Sequence, residues 1–113
     1  MSHARIDAFA AMTRDQPDNE MIWYGLASEY SKLGRWDEAA AALRQVIRIK
    51  PDYTAAYQML GTALASLGEV EAARRAWESG VEVATRTGAW KARQHMEGLL
   101  AGTTPGPGSG LCP

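Results

Sequence analysis

Trp23-x2-Leu26-Ala27-x2-Tyr30 and Tyr57-x2-Leu60-Gly61-x2-Leu64 are one pattern written twice, each position of the second copy following its twin by the same constant step. Each puts large apolar side chains and one small residue at i, i+3, i+4 and i+7, the spacing of a single helix face. The likeness runs on beyond that face: Gly34 answers Gly68, Ala39 answers Ala73, and Leu43 answers Trp77. A glycine closing the first helix, followed by a second apolar stripe, describes a helix–turn–helix unit. Such units bury their apolar faces against their neighbours, so the period predicts an all-α fold of stacked antiparallel helix pairs.

Six helices follow when the chain is read outward from that pattern. They are predicted over 4–14, 20–33, 36–50, 54–67, 70–86 and 89–101, and no strand signal appears. Ile6, Phe9 and Met12/Thr13 share one side of the first helix, which Pro17 stops. Asp18 and Asn19 supply a cap for the second helix, with Glu20 in its first turn. Trp36, Ala39, Leu43, Val46 and Ile47 form the inner face of the third, and Pro51-Asp52 makes the break, with Asp52 capping the fourth. Ala89, Ala92, Met96, Leu99 and Leu100 make a stripe on the sixth. The Gly/Pro-rich text of 102–113 is predicted to be a flexible tail.

Composition fits one small domain: 113 residues, 46% of them hydrophobic, are enough for a continuous core. The formal net charge is −1, from 12 basic and 13 acidic residues mixed along the chain. No Lys/Arg block stands out, so neither nucleic acid nor a membrane is an expected partner. Arg44 with Arg48, and Arg74 with Arg75, are the nearest to basic patches. Arg74 has Glu71 and Glu78 at helical spacing, which reads as a charge-balanced solvated face. Cys112 alone cannot build a disulfide framework, and Arg5 and Asp7 interrupt what would have to be a signal peptide. The expected setting is cytoplasmic and reducing.

With a period of about 34 residues and these residues in these places, the chain resembles the tetratricopeptide repeat family, and small bacterial-type members of it, over roughly residues 4–101. The resemblance implies a short right-handed α-solenoid. It divides the chain into a half repeat (4–17), a repeat at 20–53, a second at 54–87 and a capping helix at 89–101. Packing positions of the family fall on Trp23, Leu26, Ala27, Tyr30, Ala39 and Leu43 in the first repeat. In the second they fall on Tyr57, Leu60, Gly61, Leu64, Ala73 and Trp77. Small residues there admit a neighbouring helix closely enough for a large one to fill the gap. Thr85 stands where the terminating proline of the family is expected, so the fifth helix is expected to run long.

In this family the first helix of each pair lines a concave face that binds peptides. The resemblance carries that face onto Met21, Tyr24, Ser28 and Ser31, then Ala55, Gln58, Thr62 and Ala65. Trp90 and Gln94 extend the column if the cap begins its face at Ala89. In the other reading, Trp90 folds back on the preceding helix near Val83. Members that grip acidic C-terminal tails use Lys and Asn where this chain has Tyr24 and Ser28, then Gln58 and Thr62. A carboxylate clamp is therefore not expected.

Chemistry-bearing residues are sparse. His3 and His95 have no ligand-like neighbours, Cys112 has no fixed base, and Gly34 and Gly68 sit at helix–helix corners where no phosphate loop forms. Paired carboxylates such as Asp37/Glu38 lie at helix starts, where they meet the helix dipole. The expectation is a module without catalytic, metal or cofactor site that binds a protein or peptide. A competing expectation is weak self-association through the open Ile6/Phe9 helix.

Overall fold

The computed structural model describes residues 4–103, and within them the chain forms six helices and no strand. They are α1 (Ala4–Asp15), α2 (Glu20–Lys32), α3 (Trp36–Ile49), α4 (Thr54–Ser66), α5 (Val70–Thr87) and α6 (Trp90–Gly102). Each packs on the next, giving an elongated body of 51 × 31 × 19 Å. The ends of these helices fall within one residue of their expected places. Of the predicted tail, 102 and 103 close α6, and 104–113 lie outside the described residues.

Local chemistry sets the ends. The Asn19 side chain accepts the Met21 amide at 3.1 Å, capping α2 as its sequence predicts. Gly34, Gly68 and Gly88 turn the chain with φ of 72°, 82° and 80°, the left-handed region that only glycine enters without strain. Asp52 does not cap α4. Tyr53 holds the cap position, without a side-chain hydrogen bond, because the turn from Lys50 carries the helix start one residue beyond the aspartate. Without a proline at 85, α5 reaches 18 residues against 14 for α3, and stops only at Gly88.

The core is a run of sockets and plugs. Ala27, Ala39 and Ala73 are wholly buried, as are Leu43, Val46 and Met96. A β-carbon at Gly61 would lie 2.5 Å from Cδ1 and Cε2 of Trp77, so the indole fills the room that glycine leaves. Gly80 makes the same kind of room for Met96 of α6 and for Tyr57. Gly25, which has no place in the repeat pattern, does it for Phe9: a β-carbon there would stand 2.6 Å from Cε1 of the ring. That contact and buried Ile6 seat α1 on the body, leaving Arg5, Asp7, Arg14 and Asp15 outward and exposed.

The repeat also recurs in its polar detail. Trp23 Nε1 donates to the Pro17 carbonyl at 2.8 Å, and Tyr57 Oη to the Pro51 carbonyl at 2.6 Å. One repeat step carries the first pair onto the second, so each aromatic anchor ties its helix to the chain that enters it.

Arg74 departs from the solvated, charge-balanced face that its neighbours suggest. Its guanidinium donates to the carbonyls of Leu100, at 3.2 Å, and of Thr103. These carbonyls close α6, where Leu100 also accepts the Thr103 amide at 3.1 Å. Glu78 lies 3.9 Å from the same group, while no ion pair forms with Glu71. An i,i+4 reading could not see this role, because the acceptors are 26 and 29 residues away.

Candidate functional site

Residues of α2 and α4 together frame a groove of about 300 Å³. Tyr24 and Ser31 come from α2, Gln58, Met59 and Thr62 from α4, and Trp36 closes it from the start of α3. Helical spacing explains the convergence: Tyr24 and Ser31 are two turns apart, as are Ala55 and Thr62, and each pair shares a face. Five residues singled out in the sequence, Tyr24, Ser31, Ala55, Gln58 and Thr62, therefore meet at one place.

No charged side chain lines this groove. Tyr24 and Trp36 make its wall partly aromatic, and the Tyr24 ring is backed by Tyr53, with centroids 5.2 Å apart and planes tilted by 33°. Burial, with a smaller contribution from Tyr53, raises the pKa of Tyr24 above the ordinary tyrosine value, so the phenol stays neutral. Polar groups stand unspent within that setting. Ser31 Oγ is buried and has no hydrogen-bond partner. The Tyr24 hydroxyl and the Gln58 side-chain amide also make no hydrogen bond among the described residues. The Gln58 carbonyl is engaged, accepting from Thr62 Oγ1 and Trp77 Nε1, both at 3.2 Å. An uncharged surface with free donors and acceptors suits the backbone and neutral side chains of a peptide.

The remaining expected site residues do not line this groove. Met21 is 68% exposed near the start of α2, and Ser28 is half-buried on the same helix. Trp90 is 60% exposed at the start of α6, with the Arg93 guanidinium over its ring at 5.6 Å. Its ring is thus not buried against the end of α5. Gln94 is exposed one turn further along. Trp36 and Met59 are groove residues that the sequence does not place there: Trp36 reads as an inner-face position of α3, and the repeat pattern gives Met59 no role; both also pack against the core. Among the described residues, no group of three or more His, Cys, Asp or Glu side chains gathers to hold a metal ion. No helix there is long and apolar enough to cross a membrane. His3 and Cys112 lie outside the described residues.

Comparisons with known proteins agree with this architecture. A family model described as tetratricopeptide repeat matches residues 6–53 and 24–89. A TPR repeat-containing protein of Pseudomonas aeruginosa is 31% identical over 95 residues, covering 84% of this chain and 90% of its own. Among solved structures, a protein of Bordetella parapertussis superimposes with a TM-score of 0.75 at 28% identity, covering 87% of this chain and 85% of that one. The TPR2B domain of yeast Sti1, solved in complex with an Hsp70 peptide, gives a TM-score of 0.79 at 19% identity, covering 85% and 77%. At that identity the likeness is one of fold.

Proposed function

The chain belongs to the tetratricopeptide repeat family, and on that premise we propose that it is a protein-interaction module that binds an uncharged peptide segment of a partner protein between α2 and α4. The observation that carries this reading is the meeting of Tyr24, Ser31, Gln58 and Thr62 in one groove that has no charged lining and a buried hydroxyl without a partner. The Tyr24 hydroxyl and the Gln58 side-chain amide make no hydrogen bond among the described residues, and each bond that a ligand makes to them is worth about 0.5–1.5 kcal/mol. Tyr24, backed by Tyr53, and Trp36 offer rigid apolar surface, and the Gln58 amide supplies direction. The structural likeness to domains solved with chaperone peptides, including the first TPR of Spaghetti bound to an HSP90 peptide, supports peptide binding as the mode. The ligand chemistry differs: a groove without Lys or Arg has nothing to hold a terminal carboxylate. Two repeats, a leading half repeat and a capping helix make up the module, with Trp90 exposed at the start of α6. Adaptor work in the cytoplasm is the role that fits such a module.

Self-association through α1 finds less support, because the outward face of that helix carries Arg5, Asp7, Arg14 and Asp15. Peptides selected from a random library on the intact chain provide the test. Their affinity should fall about tenfold or more for a Tyr24→Ala/Gln58→Ala variant whose melting temperature matches the parent. Selected peptides that bind parent and variant equally would refute the groove. A strong preference for peptides with acidic C-termini would refute its proposed chemistry.

A further inference from the structure

We propose that a second groove, between α3 and α5, docks an amphipathic helix of a partner protein whose apolar stripe is flanked by carboxylates. This groove holds about 340 Å³; Leu60 and Leu64 of α4 form its floor, Ile47 and Ala76 its apolar sides, and Arg44 and Arg75 its two rims. It lies across α4 from the α2/α4 groove. At about 100° per residue, Tyr57, Leu60 and Leu64 project roughly opposite to Ala55, Gln58 and Thr62. Both sites can therefore be filled at once.

The chain contains its own control for this site. One repeat earlier, Leu26, Tyr30, Ala41 and Ala42 line a depression of about 310 Å³, and they are the counterparts of Leu60, Leu64, Arg75 and Ala76 in turn. The frame is the same, but the rims are not. Ala41 stands where Arg75 does, and Ala10 holds the place of Arg44 one repeat step before it. Packing of the repeat explains the apolar floor in both; it does not explain two arginines facing across one of them.

Neither arginine is used within the protein. Both are exposed, and among the described residues neither has an ion pair or hydrogen bond. Their neighbours are otherwise occupied: Glu78 lies beside Arg74, and the Arg48 side chain bonds Gln45 and Asp18. Glu78 and Glu82 do border an adjoining hollow with Arg75, so the cationic character is centred on the α3 side and the near rim. A guanidinium on each wall with an apolar floor between them complements a helix that has aliphatic residues at i, i+4 and i+7 and Asp or Glu beside them. Ridge-into-groove packing seats such a helix along the channel.

A capped peptide of about four helical turns, with Leu at those positions and Glu flanking them, is the probe; its twin carries Lys for every Glu. Both are titrated into the isotope-labelled full chain and followed by amide chemical shifts. The Glu peptide should shift Ile47, Leu60 and Ala76 and leave Ala41, Ala42 and Gln45 in place. Arg44→Gln/Arg75→Gln should weaken it about tenfold or more with an unchanged melting temperature, since both side chains are exposed. Equal affinity for the Lys twin, shifts spread over both grooves, an unaltered Kd for the double variant, or no binding at millimolar peptide would each overturn the proposal.

Discussion

The indole of Trp77 occupies the room that a side chain at Gly61 would need, and its Nε1 donates to the Gln58 carbonyl at 3.2 Å. Helices α4 and α5 thus interlock at this plug and socket, beside the approach of Tyr57 to Gly80, and damage to either partner loosens them. Trp77→Ala should cost about 3–5 kcal/mol, a large share of the ~5–15 kcal/mol that holds a domain of this size. Gly61→Val should approach the same loss, since the rigid indole has no flexible end to move aside. Denaturant unfolding measures both, and a curve overlaying the parent in either case would contradict this packing.

The bonds from Trp23 to Pro17 and from Tyr57 to Pro51 act in separate repeats. Tyr57→Phe should lower stability by about 0.5–1.5 kcal/mol, because the ring stays and only the hydroxyl goes. Trp23→Phe removes its hydrogen bond together with some packing, and should cost somewhat more. The double variant should lose the sum of the two, as distant sites do. Urea midpoints at constant slope are the readout.

Arg74→Met keeps the aliphatic stem and deletes the donors to Leu100 and Thr103. The expected loss is about 1–3 kcal/mol, concentrated in α6. Amide exchange in α6 should quicken while α2 and α3 keep their protection. Arg75→Met, one residue along, should leave exchange in α6 unchanged.

Alkaline pH should loosen the fold. Burial raises the Tyr24 pKa, aided by Tyr53; burial also raises that of Tyr57, against the lowering effect of Arg86. A tyrosine whose folded pKa lies above its unfolded value of about 10 holds its proton longer in the native state. Its stabilising contribution is therefore complete below pH ~10 and is lost as pH climbs through the folded pKa. Tyr24→Phe should flatten part of that decline. Stability measured against pH, beside the tyrosinate absorbance, checks the sign.

What the sequence exposes and what it hides follow one rule. Contacts that recur at the repeat period, such as Trp23 with Tyr57 or Ala39 with Ala73, announce themselves by repetition. So do Tyr24 and Gln58, which converge because they share a repeat position. Gly25 is invisible by that logic, since Met59 stands at its counterpart and only the arrival of Phe9 gives the glycine a purpose. Arg74 hides behind its local acidic neighbours, and Arg44 and Arg75 come together only as the lining of one groove across α4. Trp36 belongs to the core and the groove together, a double membership that periodicity cannot separate.

The seat of Phe9 on Gly25 sets the order in which the array comes apart. Beyond that ring, α1 is held by buried Ile6 and Thr13 and an exposed 3.4 Å pair between Arg5 and Glu29, whereas α5 is locked to α4 by its own Trp77 at Gly61 and to α6 by Met96 at Gly80. Local opening is cheapest where buried apolar contact is thinnest. The array is expected to open like a zipper with a loose first tooth: α1 lifts first while α2 to α6 stay closed, which uncovers the face of α2 for another helix.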